Sequence, residues 1–267
     1  MAGRLRGLLD AGGVSIQPWA RDCVGVPNAI IRSALFAAIP DLSEERDRYF
    51  YCDREVRGLK GVRVLHTGPQ LCQADLELWM ALLALLHQAP FGQTVRCRMS
   101  KVLRAQGLTD SGKNRDKTWA RLMRLSKTNL TIEGTGFRYV GNLVYSAELN
   151  DFGVLEVSLS ERMAAMFSAG RYTLLDLRIR LALRGQPLAG WLYGFYVSHR
   201  DPYTLKVDTL RELSGSTVAS RDKFCQQLRV ALARVQSAAE ENAKYCQFEV
   251  EGGAQGRVSF FWLKRPF

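Results

Sequence analysis

The sequence predicts an α+β fold in which one small unit of helices and a β-hairpin is used twice. Two basic amphipathic stretches, GKNRDKTWARLMRLSK (112–127) and ASRDKFCQQLRVALARVQ (219–236), each follow a short helical segment and a glycine-containing turn. Each then gives way to alternating segments broken by glycines, the pattern of a hairpin. Upstream landmarks recur at near-constant offsets: Trp79 with Trp191 and Pro90 with Pro202 at 112 residues, Leu103-Arg104 with Leu210-Arg211 at 107. Collinear matches within a matching element order indicate duplication. Helix, strand, helix, turn, helix and hairpin is the order of a winged helix. Tandem winged-helix domains over 61–170 and 171–267, after an N-terminal segment with short helices (1–60), are therefore expected.

The elements follow in order along the chain. AIIRSALFAAI (29–39) has helical character and ends at Pro40; it is either core or a surface for self-association or a host protein. VRVLH (62–66) alternates as a strand does, and Thr67-Gly68-Pro69 turns the chain. ADLELWMALLALLHQA (74–89) is a strongly apolar helix stopped by Pro90. TVRCRM (94–99) alternates again, Ser100 stands as N-cap before KVLRAQ, and Gly107 ends that helix. After the basic helix at about 113–128, LTIEG-TGF-RYVGNLVYSAEL (130–149) and VLEVSLS (154–160) read as the first wing. In the second copy PLAGWLYGFYVSHR (187–200) is the apolar helix and YTLKV (203–207) the strand. Asp208 caps TLRELS before Gly215, and the second basic helix runs from about 219 to 238. YCQFEV and RVSFFWLK (245–264) form a hairpin with a glycine-rich tip.

A formal charge of +11 and a pI near 9.6 favour a polyanionic partner, most often nucleic acid. Between Arg96 and Arg138 eleven basic residues stand against three acidic ones, so most of the excess lies in the block holding the first basic helix. The six cysteines contain no CxxC pair, and the three histidines (His66, His87, His199) are isolated. Reduced thiols and a cytoplasmic location are the simplest reading. Met1–Asp10 lacks the apolar stretch of a secretory signal, and the longest apolar run, Trp79–Leu86, is too short to span a bilayer.

The chemistry that can be sought and not found narrows the function. GLTDSGKN (107–114) approaches a phosphate-binding loop, but Asn114 stands where the magnesium-binding hydroxyl belongs and no strand leads in. It reads as the turn of a helix-turn-helix. A nicking enzyme needs clustered metal-binding histidines, and no His-x-His occurs. No cofactor, metal site or enzymatic activity is expected.

At about 100° per residue, the first basic helix places Trp119, Leu122, Met123 and Ser126 on one side. Asn114, Lys117, Arg121, Arg124 and Thr128 fall on the other. In the second, Phe224, Leu228, Ala231, Leu232 and Val235 form the core stripe. Asp222, Gln226, Arg229 and Ala233, flanked by Lys223, face away. Arginine reads guanine and asparagine or glutamine reads adenine in the major groove. The first face, within the basic block, suits phosphate neutralisation; the second, mixing amide, acid and guanidinium, suits base discrimination. Arg138 and Arg257 are the candidate wing contacts to backbone or minor groove. Both stretches contain Arg-Asp-Lys at an offset of 106, but matching the faces (Trp119 with Phe224, Met123 with Leu228) gives 105. The shared feature is taken to be the outward stripe rather than the tripeptide.

Pro27-Asn28 with Arg32–Phe36, and the segment Ser198–Lys206 (SHRDPYTLK), resemble the TrfA family of plasmid replication initiators. The resemblance runs from about residue 26 to the C-terminus, and the first 25 residues lack it. It implies tandem winged helices that bind directly repeated sites (iterons) in double-stranded origin DNA, and help in opening the adjacent AT-rich duplex. It further implies recruitment of the host's DnaA and replicative helicase, and a monomer–homodimer balance that limits copy number. A winged-helix transcriptional repressor has the same DNA chemistry without helicase recruitment, and an origin-nicking enzyme is the competing reading from another class.

Overall fold

A computed structural model describes residues 19–20, 22–41, 49–58, 61–86, 91–134, 136–168 and 170–264. Met1–Asp10, His87 and the helix stop at Pro90 lie outside the described residues. The chain is a mixed α+β structure around one continuous apolar core reaching from Trp19 to Phe260.

The described N-terminal part starts with β1 (Cys23–Pro27) and the single helical turn α1 (Asn28–Ile31). The longer helix expected over 29–39 does not form. Ser33 Oγ donates to the Ile30 carbonyl at 2.9 Å and Ala34 N–H to the Arg57 carbonyl at 2.8 Å, so the chain leaves the helix early. It continues as β2 (Phe36–Ala37), which later pairs in parallel with β5 (Leu71–Cys72). Ile30, Ile31, Leu35, Phe36 and Ile39 are all buried, so this patch is core.

Next come β3 (Phe50–Glu55) and β4 (Val62–Pro69), then β5 and α2 (Gln73–Leu86). α2 is apolar on nearly every side because it lies in the middle of the molecule, against β1, α3, α4 and α6 described below. Then follow β6 (Thr94–Arg98), α3 (Met99–Ala105) and α4 (Gly112–Lys127). α3 begins directly from the strand, with Arg98 rather than Ser100 at the N-cap position and no side-chain cap.

β7 (Asn129–Gly134) and β8 (Phe137–Asn142) were expected in the first wing, and the structure places them elsewhere. They complete a four-stranded antiparallel sheet of order β3-β4-β7-β8, where Leu130, Ile132 and Tyr139 join Val64 in the core. The alternating pattern is the same for either partner; the apolar face of β4 is what captures them. Only β9 (Ser146–Leu149) and β10 (Val154–Ser158) pair onto β6, in the order β6-β10-β9.

A 3-10 segment (Glu161–Phe167) leads to β11 (Tyr172–Asp176), which pairs with β1, and to α5 (Leu177–Ala182). The second unit comprises α6 (Pro187–Val197), β12 (Leu205–Lys206), α7 (Val207–Leu213), α8 (Arg221–Glu240), β13 (Tyr245–Glu251) and β14 (Arg257–Lys264). α7 follows Lys206 at its N-cap, so Asp208 sits inside the helix rather than capping it. The sheet order β12-β14-β13 repeats that of β6-β10-β9. One hydrogen bond repeats with it: Met99 N–H donates to the Gly153 carbonyl at 2.9 Å, and Val207 N–H to that of Gly256 at 3.0 Å.

The pairings β1–β11 and β3–β4 cross the expected boundaries at residues 61 and 171. At the junction of the two units Arg180 is buried and donates to the Gly190 carbonyl at 2.5 Å and to Gln73 Oε1 at 3.4 Å. Burial pulls its pKa down while nearby Glu77 pulls it up. Gly190 makes room for it: a Cβ there would lie 2.8 Å from the guanidinium and force it to shift.

Candidate nucleic-acid interface

α4 and α8 start alike. Ser111 Oγ accepts from Asn114 N–H and Ser220 Oγ from Lys223 N–H, both at 3.3 Å, satisfying donors that a helix start leaves free. Gly107, at φ +66°, ends α3 in the left-handed conformation that Leu108 N–H to Leu103 carbonyl closes at 2.9 Å. Residues 107–111 thus form the turn between α3 and α4, and 112–114 already belong to α4. Asn114 is half-buried there, its amide donating back to the Thr109 carbonyl at 2.8 Å.

Beyond this start the two helices differ. On α4 the expected outward stripe is largely the inner one. Arg124 is buried and donates to Asp75 Oδ1 through Nε at 2.9 Å and Nη2 at 2.7 Å, with Asp41 Oδ1 at 3.5 Å. Arg121, also buried, donates to Asp41 Oδ2 at 2.9 Å and Gln106 Oε1 at 3.3 Å. Thr128 is fully buried and closes the helix by donating to the Arg124 carbonyl at 2.8 Å. Arg121, Arg124 and Thr128 are therefore not on the exposed face. Burial disfavours the Arg124 charge, but Asp75 and then Asp41 outweigh it and hold its pKa above the usual value.

Thr118, Leu122 and Leu125 share this inner arc, whereas Met123 is 40% exposed and Trp119 only half-buried. The helix is turned by roughly a third of a revolution from the sequence expectation. The offset of 106 now fits better than 105, since it matches buried Thr118, Leu122 and Leu125 with buried Phe224, Leu228 and Ala231. The exposed side of α4 carries Lys113, Asp116, Lys117, Met123 and Lys127. Of the expected residues only Lys117 stands fully exposed on it.

The missed partner had a signal. Asp75 belongs to a segment too apolar to have a solvent side, and a carboxylate there requires a cation or several donors. It receives Arg124, the Cys72 N–H at 2.9 Å and the Cys72 thiol at 3.3 Å.

α8 has the orientation its sequence predicts. Phe224, Leu228, Ala231, Leu232 and Val235 are buried, and Asp222, Lys223, Gln226, Arg229 and Ala233 are all exposed. Arg229 Nη2 donates to the Val250 carbonyl of β13 at 3.0 Å, which fixes the guanidinium between helix and hairpin. Arg257 opens β14, exposed beside the glycine-rich tip. Arg138 is exposed too, but on β8 of the four-stranded sheet and 4.0 Å from Glu133, away from the hairpin paired to β6. It is not a wing residue.

Among the described residues no three His, Cys, Asp or Glu side chains converge as a metal site, and no helix is long and apolar enough to cross a membrane. His199 follows the end of α6, its ring Nδ1 2.7 Å from the Phe195 carbonyl.

The sequence matches the family described as TrfA protein over residues 9–245. The match begins earlier than the resemblance at residue 26. It stops at Tyr245, the first residue of the last hairpin, short of the C-terminus that the resemblance was expected to reach. The plasmid replication initiator protein TrfA of Escherichia coli is 26% identical over 227 residues, 80% of this chain and 56% of that protein. The chain thus spans little more than half the length of this relative. Two crystal structures of RctB domains 2 and 3, one a selenomethionine derivative, have TM-scores of 0.55 and 0.52 at 14% and 13% identity. They cover 83% and 84% of this chain, and 95% and 94% of their own chains. At that identity the likeness is one of fold.

Proposed function

The chain belongs to the TrfA family, and from that membership we propose that it is a plasmid replication initiator binding iterons in origin DNA. The two repeated units are read as tandem winged helices (61–170 and 171–267), with α4 and α8 as the helices that enter major grooves. The observation that carries this reading is the recurrence, on one chain, of a Ser-capped helix after a short helix and turn, backed by a hairpin pinned to that short helix.

The two helices take different tasks. α8 presents Gln226 and Arg229, which suit adenine and guanine edges, and Ala233 allows close approach. α4 presents lysines, which attract phosphates without reading sequence. Two unlike readers on one monomer, set about one helical turn or 34 Å apart on DNA, suit a direct repeat; a symmetric dimer suits a palindrome. Opening of an AT-rich duplex, recruitment of the host's DnaA and replicative helicase, and a copy-limiting dimer complete the reading by analogy with the family. No catalytic step is assigned to the chain.

Footprinting on the plasmid's own origin tests it. Protection of several direct repeats is expected. A single promoter palindrome would make the protein a repressor instead, and a metal-dependent nick would overturn the non-enzymatic assignment.

A further inference from the structure

Phe152 is the most solvent-exposed large apolar side chain among the described residues, at 89%. Single exposed apolar residues are ordinary on protein surfaces, so exposure alone says little; the setting of Phe152 says more. It sits at the tip of the β9–β10 hairpin, and that tip is fastened. Asn150 Oδ1 accepts from Phe152 N–H at 3.1 Å and from Val154 N–H at 3.0 Å. Gly153 N–H donates to the Asn150 carbonyl at 3.0 Å, and Asn150 N–H to the Val154 carbonyl at 3.1 Å. Gly153, at φ +72°, takes a conformation that favours glycine, and its carbonyl accepts Met99 N–H from the first residue of α3.

The tip also lies beside the first turn of α4: a Cβ on Gly153 would come within 3.1 Å of Arg115 Nη1. Exposed Arg98 pairs across the sheet with Val154, two residues from the ring. An aromatic ring is thus projected from a rigid turn near the start of a helix. Arg98 stands on the neighbouring strand and Arg115 is nearby, the latter paired with Asp110 at 2.6 and 2.9 Å. The equivalent tip of the second hairpin, GGAQG (252–256), has no aromatic residue.

We propose that Phe152 is a minor-groove wedge: when α4 lies in a major groove, the ring enters the adjoining minor groove and partly unstacks one base step. The proposal rests on the DNA-binding reading above. Apolar wedges of this kind kink the duplex by about 20–90° toward the major groove. Pyrimidine–purine steps such as TA are the easiest to unstack, so an A·T-rich step is the expected target. Arg98 would hold a flanking phosphate, Arg115 would do so on exchanging its partner Asp110 for one, and α4 would set which step the ring meets. The single wedge gives the two units different effects on DNA: the first deforms, the second reads.

The test uses the full chain with duplexes carrying a footprinted repeat, in which 2-aminopurine replaces adenine at successive positions. Wild-type protein should raise the fluorescence at one step beside the first unit's site. With Phe152→Ala that complex should fluoresce as the free duplex does, and the bend measured by gel phasing should shrink, while the circular dichroism spectrum and melting temperature stay unchanged. Phe152→Leu should keep the signal, because any apolar wedge suffices. Wild-type binding with no fluorescence rise at any step would overturn the wedge and leave DNA binding standing. Failure to bind any repeat duplex would overturn both.

Discussion

α4 and α8 start from the same device, a serine cap after a short helix and a glycine turn, and then spend their arginines in opposite ways. Arg121 and Arg124 turn inward to Asp41 and Asp75, whereas Arg229 stays on the surface, braced against β13. A guanidinium taken inside needs acceptors waiting there, because a charge alone is costly in the interior. For Arg121 and Arg124 these are carboxylates, for Arg180 a carbonyl and an amide oxygen. α2 provides Asp75 for the first unit. α6, its counterpart, has no acidic residue between Pro187 and Val197. The difference between the helices therefore originates in the neighbours they pack on as well as in the weaker apolar stripe of α4.

The sharpest way to break this comparison is to remove the carboxylate. Asp75→Ala leaves Arg124 buried without its main partner and should cost about 3–5 kcal/mol of stability. Arg229→Ala should change stability by no more than about 0.5 kcal/mol. Urea denaturation of the two variants measures both; equal small losses would mean that the internal pair is not a structural requirement. The next effect lies in DNA binding. Gln226→Ala or Arg229→Ala should weaken binding to the cognate repeat by roughly 1–3 kcal/mol with little change on unrelated duplex. Equal losses on both DNAs in a competition titration would remove base reading from α8. The smallest effect separates the lysines of α4 from the displaced arginine. Lys117→Ala should lower the slope of log affinity against log salt by about 0.9, and Arg138→Ala should leave it unchanged. A slope change at Arg138 would return the four-stranded sheet to the interface.

Much of the architecture was legible because it rests on local pattern. The apolar helices containing Trp79 and Trp191 form, and both indoles are buried and satisfied by carbonyls, Leu143 at 3.1 Å and Ser33 at 3.2 Å. The face of α8 was readable because five apolar residues at helical spacing leave one way to turn it. α4 has no such stripe: Leu122 and Leu125 are its two leucines, and Trp119 and Met123 compete with them for the inside. Its orientation was settled by ion pairs with residues 49 and 80 positions away in sequence. The same holds for β7 and β8. Their alternation announces strands, but nothing local distinguishes a wing from an insertion that completes another sheet.

By itself, then, the sequence determined the repeated order of elements, the basic character of the first unit and the outward residues of α8, since periodicity and charge are properties of short segments. Tertiary structure alone decided which hairpin backs α4, which way α4 turns, and that Phe152 stands at a fastened tip. Those outcomes depend on partners distant in the chain, where a buried carboxylate or an unpaired strand edge selects among segments that look alike from within.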